Sequence, residues 1–157
     1  MAGDPQAACP FCDWAAGTPF VHEDPLAVAL IDRRPINRYH VLVVPRRHVV
    51  NFVDLPPELL THLFRLTQVL SQGIRDVCRP DAIQHLTDDD LAGHGFNLVP
   101  HFKIHIIPRF QGDRVRIDWG RGPEPSLADR GQWAAELRAA LAGEGGAAGP
   151  GAPFRSR

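Results

Sequence analysis

The sequence predicts a single α+β domain, with an antiparallel sheet of about five strands and two main helices. Short segments rich in Val, Ile and Leu follow one another with turns between them, which is typical of antiparallel sheets. One longer segment carries apolar residues at three- and four-residue spacing, the period of an amphipathic helix. The 157 residues are enough for one domain with a hydrophobic core.

The bulk composition limits what the chain can bind. A net charge of −1 leaves no electrostatic footprint for duplex nucleic acid or an anionic membrane surface. No apolar run approaches the roughly 20 residues that cross a bilayer, and the N-terminus lacks a basic segment followed by an apolar one. We therefore expect a cytoplasmic protein with neither a membrane nor duplex nucleic acid as partner, whereas a single nucleotide needs only a local pocket.

The first half of the chain is predicted to contain three strands. Residues 1–8 form a loose N-terminus, and residues 20–31 form two short strands around an acidic, proline-containing turn. Residues 32–39 are polar and contain proline, so we expect a loop. Residues 40–44, with the sequence His-Val-Leu-Val-Val, are predicted as a central strand that Pro45 closes.

The helices and the remaining strands follow. A helix is predicted to begin near Pro56, with Asp54 as its cap, and to end before Pro80. Residues 82–87 are predicted as a strand, and residues 88–95 as an acidic loop that leads into the next strand.

The C-terminal part is predicted to add one short strand and one helix. The strand spans residues 115–119, and the helix is capped by Ser126. Residues 143–157 are rich in Gly, Ala and Pro, so we expect a disordered tail. The apolar positions of the helix are Leu127, Trp133, Leu137 and Leu141.

Residues 99–109 are predicted as the strand around which the functional residues are organised. Successive side chains of a strand point to opposite faces, so three polar residues share one face over about 13 Å. That face suits a partner that binds nitrogen ligands or cations, although an ordinary half-exposed strand is the alternative. The polar residues are His101, Lys103 and His105, and the apolar ones opposite them are Phe102, Ile104 and Ile106.

Cys9 and Cys12 form a C-x-x-C pair. A redox pair of the thioredoxin kind lies between a strand and a helix, whereas this pair precedes the first predicted strand, so a metal site is favoured. Histidine nitrogens complete such tetrahedral Zn²⁺ sites, and His48 and His101 lie at or in predicted strands. The spacing alone does not select these two histidines, and a pair of buried free cysteines is the alternative.

Three segments together resemble the histidine triad (HIT) superfamily, in particular its zinc-bearing bacterial branch. They are Cys-Pro-Phe-Cys at 9–12, the D-x-x-P-x-x-x-x-H-x-L-V-x-P-x-x-H pattern at 32–48, and His-Phe-Lys-Ile-His-Ile-Ile-Pro-Arg at 101–109. The resemblance runs from about Cys9 to Trp119. It implies a HIT-like domain over residues 9–142, a homodimer, and a nucleotide or nucleotide-like small molecule as partner.

The resemblance also implies roles for individual residues. Asp32 would accept hydrogen bonds from the ribose hydroxyls, Leu30 and Ile31 would wall the base, and Asn97 would occupy the position of a phosphate-contacting glutamine. His40 would orient the triad histidines, and His105 would form a hydrogen bond to the reacting phosphate or to the leaving oxygen. The structural Zn²⁺ would be held by Cys9, Cys12, His48 and His101.

Lys103 is the main departure from the family pattern, because a histidine nucleophile normally occupies the middle triad position. Lowering a lysine pKa by three units costs about 4 kcal/mol. Lys103 could therefore be a cation that holds phosphate, a true nucleophile, or a sign of lost chemistry.

The expected function is a HIT-like hydrolase or transferase acting on a nucleotide phosphoanhydride, phosphoester or phosphoramidate without the usual nucleophile. The alternative is a catalytically silent nucleotide- or partner-binding module. The roles of the acidic residues 88–90 and of His94 stay open.

Overall fold

A computed structural model describes residues 9–116 and 125–143, the side chains of residues 140–143 excepted. Its five strands form one antiparallel sheet in the order β1-β2-β3-β5-β4. The predicted α+β fold with two main helices is confirmed. The elements are β1 (Phe20–Glu23), β2 (Ala27–Ile31), β3 (Val41–Pro45), a 3₁₀ turn (Phe52–Asp54), α1 (Pro57–Cys78), β4 (Ala82–Leu86), β5 (Ile104–Arg109) and α2 (Leu127–Gly143).

The sheet has one face covered by α1 and another covered by the N-terminal segment. On the α1 face, Val43 and Ile104 pack with Leu63 of the helix, and all three are almost fully buried. On the opposite face, Val28, Leu42 and Val44 form a second cluster. Three aromatic residues cover that cluster: Phe11, Trp14 and Phe20. The residue paired with Leu42 is His105, so this second face carries the candidate site.

Helix α1 begins without the predicted side-chain cap. Its N-cap is Pro56, which makes no side-chain hydrogen bond, and Asp54 instead closes the preceding 3₁₀ turn. The Asp54 carboxylate accepts a hydrogen bond from Asn51 Nδ2 at 3.1 Å. The prediction of Asp54 as the cap was therefore wrong, because this carboxylate is used inside its own turn. At the other end Arg79 adopts the left-handed conformation, with φ 45°, and Pro80 follows it.

The predicted strand at 99–109 is regular only from Ile104 onward. Upstream, the Phe102 N–H donates to the Val49 carbonyl and the His101 N–H to the Val99 carbonyl, so these backbone groups are paired outside the sheet ladder. The predicted alternation of side chains is nevertheless confirmed, because Phe102, Ile104 and Ile106 all lie in the α1-side core. The polar residues at 101, 103 and 105 therefore lie on the other side of the segment.

Helix α2 belongs to a second compact unit, separate from the one that ends at Val115. The predicted Ser126 cap is confirmed: Ser126 Oγ accepts the Asp129 N–H at 3.1 Å, and the Asp129 carboxylate accepts the Ser126 N–H at 3.2 Å. Leu127, Trp133 and Leu137 are exposed.

Three predictions lie wholly or partly outside the described residues. They concern the loose end at 1–8, the tail at 143–157, of which only Gly143 is described and ends α2, and the 115–119 strand, of which residues 115 and 116 are described and are not in a strand. Among the described helices, none combines the length and apolarity needed to cross a membrane.

Candidate functional site

Four side chains from distant parts of the chain converge beside the second face of the sheet. The ligand atoms of Cys9, Cys12, His48 and His101 all lie within 4.8 Å of one another. Cys9 Sγ is 3.4 Å from His101 Nδ1, and Cys12 Sγ is 3.2 Å from His48 Nδ1 and 3.7 Å from His101 Nδ1. A tetrahedral Zn²⁺ with typical Zn–S and Zn–N bonds would hold sulfur and nitrogen ligands about 3.6 Å apart. The cluster therefore fits a zinc ion in both ligand type and spacing.

The hydrogen bonding and burial of His101 also favour zinc binding. Its Nε2 donates to the Pro45 carbonyl at 2.9 Å, so Nε2 carries the proton and Nδ1 keeps a free lone pair directed at the cysteines. Such a hydrogen bond from the distal nitrogen is the usual support of a metal-bound histidine. Cys9 and His101 are buried, as in closed structural sites rather than open catalytic ones.

A second cluster brings together Asp32, His40 and His105. His40 precedes β3 and is almost fully buried, and His105 lies on the neighbouring strand β5. His40 Nε2 lies 3.0 Å from His105 Nδ1. The Ile36 N–H donates to His40 Nδ1 at 3.2 Å, and since a backbone N–H can only donate, neutral His40 carries its proton on Nε2. That proton is donated to His105 Nδ1, which leaves the His105 proton on Nε2.

Burial keeps both rings of this pair neutral. Burial lowers the pKa of His105 to about 4, with further lowering from His40 and Lys103 and opposition from Asp32 and Asp88. Burial likewise lowers the pKa of His40, against the raising effect of Asp32. At neutral pH, His105 is therefore a neutral imidazole whose Nε2–H can donate to a bound group.

This lowered pKa predicts a loss of stability in acid. In the unfolded chain His105 gains a proton near pH 6.5, whereas the folded protein resists protonation until about pH 4. The neutral ring therefore contributes fully above pH 6.5, and the contribution is lost as the pH falls toward 4, at about 2–3 kcal/mol by pH 4.5. Urea unfolding at pH 7.0 and 4.5 measures it: we expect wild type to lose that much more stability than His105→Gln. Equal losses in the two proteins would contradict the assignment.

Asp32 lies at the edge of the histidine pair. Its Oδ1 accepts the Arg34 N–H at 2.7 Å, and its Oδ2 lies 3.7 Å from His40 Nδ1. The loop that follows is tied to the end of β5, because Asn37 Nδ2 donates to the Pro108 carbonyl at 2.9 Å. These bonds hold the carboxylate beside the histidines.

Leu30 and Ile31 lie on opposite faces of the sheet. Leu30 packs with the cluster of the second face, on which His105 also lies. Ile31 pairs with Val41, which packs into the α1-side core, and lines an apolar groove that includes Val69 of α1. The prediction that both residues wall one base was wrong for Ile31, because strand neighbours alternate between faces.

Lys103 and Asn97 are bound to each other. Lys103 Nζ donates to Asn97 Oδ1 and to the carbonyls of Val99 and His101, at 3.2 and 3.3 Å for the carbonyls. Asn97 is buried, and its amide nitrogen lies 3.5 Å from the His101 carbonyl. The prediction of Asn97 as a phosphate ligand is thus not matched by its placement, since both of its polar atoms face protein groups.

Sequence reasoning missed the Lys103–Asn97 contact, although one signal was present. Lys103 is the only lysine among the 17 basic residues of the chain. The local environment of Lys103 is mixed in charge: burial lowers its pKa, while Asp88, Asp32 and Cys9 raise it. Arg109, at the end of β5, forms an ion pair with the Asp113 carboxylate through two contacts of 2.7 Å.

A HIT-like protein of Mycobacterium tuberculosis is 33% identical over 147 residues, covering 89% of this chain and 97% of that protein. The bis(5'-nucleosyl)-tetraphosphatase (asymmetrical) of Schizosaccharomyces pombe is 35% identical over 104 residues, which are 66% of this chain and 56% of that protein.

A crystal structure of a Zn-bound histidine triad family protein from Mycobacterium smegmatis superposes with a TM-score of 0.62 at 28% identity, covering 86% of this chain and 99% of that one. Residues 16–112, which include both histidines of the buried pair and all five strands of the sheet, match the HIT domain. The chain is therefore a member of the HIT domain family.

Proposed function

We propose that this protein binds a nucleotide at the Asp32–His40–His105 cluster and cleaves a phosphoanhydride, phosphoester or phosphoramidate bond of that nucleotide. The hydrogen-bonded His40–His105 pair is the observation that carries this proposal. It directs a single Nε2–H of a neutral imidazole away from the pair, as is needed to donate to a phosphate oxygen or a leaving group. Relatives in this family include a bis(5'-nucleosyl)-tetraphosphatase, which supports the substrate class.

Recognition of the nucleotide is assigned to residues on the same face. The Asp32 carboxylate has one oxygen, Oδ2, beside the histidines and suits the vicinal hydroxyls of a ribose. Leu30 offers apolar surface for the base, next to the aromatic residues of the N-terminal segment. Ile31 and Asn97 are left out of the proposed site because of their placement.

The reaction in this proposal uses an external nucleophile. Lys103 occupies the middle triad position, but its three ammonium protons have three protein acceptors, so attack on phosphorus would break all of these bonds. We therefore assign the attack to water or another acceptor. The new oxygen–phosphorus bond forms as the bond to the leaving group breaks. The leaving group takes the electron pair and accepts a hydrogen bond from the neutral His105 Nε2–H, which stabilises its developing negative charge, and the proton lost by the attacking nucleophile passes to the leaving group or to solvent.

A silent nucleotide-binding module is the second candidate, and the placement of Lys103 is the observation that favours it. An amine held by three acceptors cannot form the nucleotidyl intermediate that a free imidazole forms. In that case the Asp32 and His105 contacts would bind a nucleoside monophosphate without turnover.

Incubation with a panel of substrates separates the two candidates. We expect wild type to bind AMP by calorimetry and to release AMP from diadenosine tetraphosphate, a nucleotide sugar or adenosine 5'-phosphoramidate. AMP binding without release from any of them over hours would instead establish the silent module, and no AMP binding would contradict both. Gained hydrolysis in Lys103→His would show that the rest of the pocket supports chemistry, and intact mass of wild type should show no nucleotide attached to Lys103.

We also propose that the Cys9–Cys12–His48–His101 cluster holds a structural Zn²⁺. The proposed HIT-like domain spans residues 9–142, and we propose that the protein is a cytoplasmic homodimer. The Zn-bound relative supports the metal. Strand β4 lies at one edge of the sheet, and the nearby Phe64 and Leu86 are exposed, which supports pairing with a second copy at this edge.

A further inference from the structure

The two departures of this chain from the family pattern contact each other. Lys103 stands where a histidine is expected and Asn97 where a glutamine is expected, and Lys103 Nζ donates to Asn97 Oδ1. The same ammonium group reaches back along the chain to the carbonyls of Val99 and His101. One cation thus closes the segment 97–103 into a loop, and this loop ends where the regular β ladder of β5 begins.

The acceptors of this cation suit a lysine and not an arginine. Every one of the other 16 basic residues is arginine, so lysine is used only here. An ammonium group presents three donors from one compact point, whereas a guanidinium spreads five donors in a rigid plane. Asn97 Oδ1 and two carbonyls of one short segment converge on a single point, and this geometry matches the ammonium.

Lys103 lies next to the candidate metal site on two sides, against the Phe11 ring and the backbone of the ligand His101. Its Nζ lies over the Phe11 ring, 5.6 Å from the ring centroid, and Phe11 lies between Cys9 and Cys12 in the sequence. On the other side, Nζ donates a hydrogen bond to the backbone carbonyl of the ligand His101. In the chain, Lys103 is followed by Ile104 and His105, the first two residues of β5.

We propose that Lys103 is a positioning residue, which with Asn97 couples occupancy of the metal site to the placement of His105. The inference rests on the proposed zinc and nucleotide sites. When the metal binds His101, it fixes this part of the loop 97–103. The Lys103 ammonium group, through its three hydrogen bonds to the loop, transmits this constraint to the start of β5. By linkage, a nucleotide bound at His105 must strengthen zinc binding by the same factor by which zinc strengthens nucleotide binding.

Zinc release to a chelator tests the first half of the proposal without any nucleotide. We expect Lys103→Met, which keeps the length of the stem but loses the charge and donors, to release zinc about tenfold faster than wild type. Asn97→Ala should act in the same direction, and the double variant should be no faster than Lys103→Met alone, since both remove one unit. Arg75→Met, which removes a cation from the exposed surface of α1, is the matched control and should match wild type.

The single lysine supplies a probe that needs no substitution. With ¹⁵N-lysine labelling, Lys103 gives the only side-chain ammonium signal, and we expect its Nζ shift to change when zinc is removed. An unchanged Nζ signal, or unchanged zinc release in Lys103→Met, would overturn the coupling through Lys103.

AMP affinity measured with and without zinc tests the second half. We expect AMP to bind about fivefold more tightly to the zinc-loaded wild type than to the stripped protein, and this ratio to fall to about one in Lys103→Met. A ratio that persists in Lys103→Met would refute the role of Lys103. A protein that binds no AMP at all would refute the proposed function instead, and the zinc-release result would still decide whether Lys103 supports the metal site.

Discussion

The Cys9→Ser, Cys12→Ser double variant is expected to lose stoichiometric zinc and on the order of 3–5 kcal/mol of stability. Serine hydroxyls do not replace thiolates as zinc ligands, so the ion would keep only His48 and His101. The N-terminal segment would then lose its link to the sheet, and with it the cover that Phe11 and Trp14 provide for Val28, Leu42 and Val44. Metal analysis and urea unfolding, each with and without a chelator, measure the two effects.

Cys78→Ser is the matched control for that experiment. Cys78 lies at the end of α1, outside the cluster, where its thiol is 3.2 Å from the Ile74 carbonyl. A serine hydroxyl can make the same contact, so we expect zinc content and stability close to those of wild type. Purified wild type that is fully folded yet free of zinc would contradict the structural role of the metal. So would a double variant with unchanged zinc content.

His105→Ala is expected to lower release of nucleotide product at least 100-fold, the lower limit for loss of a preorganised hydrogen-bond donor to developing negative charge. Alanine removes the only Nε2–H that the His40–His105 pair directs outward, and it leaves His40 Nε2–H without its acceptor. Both changes act on the transition state, so we expect kcat to fall more than KM rises. Initial rates on the best substrate of the panel, with both parameters fitted, measure this effect.

His22→Ala is the control for a lost histidine at a remote place. His22 lies on β1, half exposed, and its Nε2 is 2.8 Å from Asp24, far along the sheet from β5. We expect its activity to stay within twofold of wild type, a change of less than about 0.5 kcal/mol. Full activity in His105→Ala would remove His105 from the mechanism and would leave the silent-module proposal to be judged by AMP binding alone.

Much of this site could be predicted from local patterns in the sequence. The alternation in residues 101–106 separates His101, Lys103 and His105 from the apolar core residues, and it survives even though only Ile104 onward is a regular strand. Alternation depends on extended backbone alone, so it tolerates loss of the ladder. The same rule applied to β2 would have placed Leu30 and Ile31 on opposite faces, as the structure does.

Only the tertiary structure decided which groups meet. The C-x-x-C pair predicts a metal but cannot select ligands 36 and 92 residues away, because loop paths between elements leave no periodic signal. The tautomer of the histidine pair depends on a backbone N–H of Ile36, and the use of Lys103 depends on carbonyls of its own loop. By itself the sequence determined the elements, their faces and the residue types present, since these follow from local geometry and hydrophobicity. The partners of each polar atom were decided by how the elements pack, since burial forces every donor and acceptor to find a partner wherever the fold brings one.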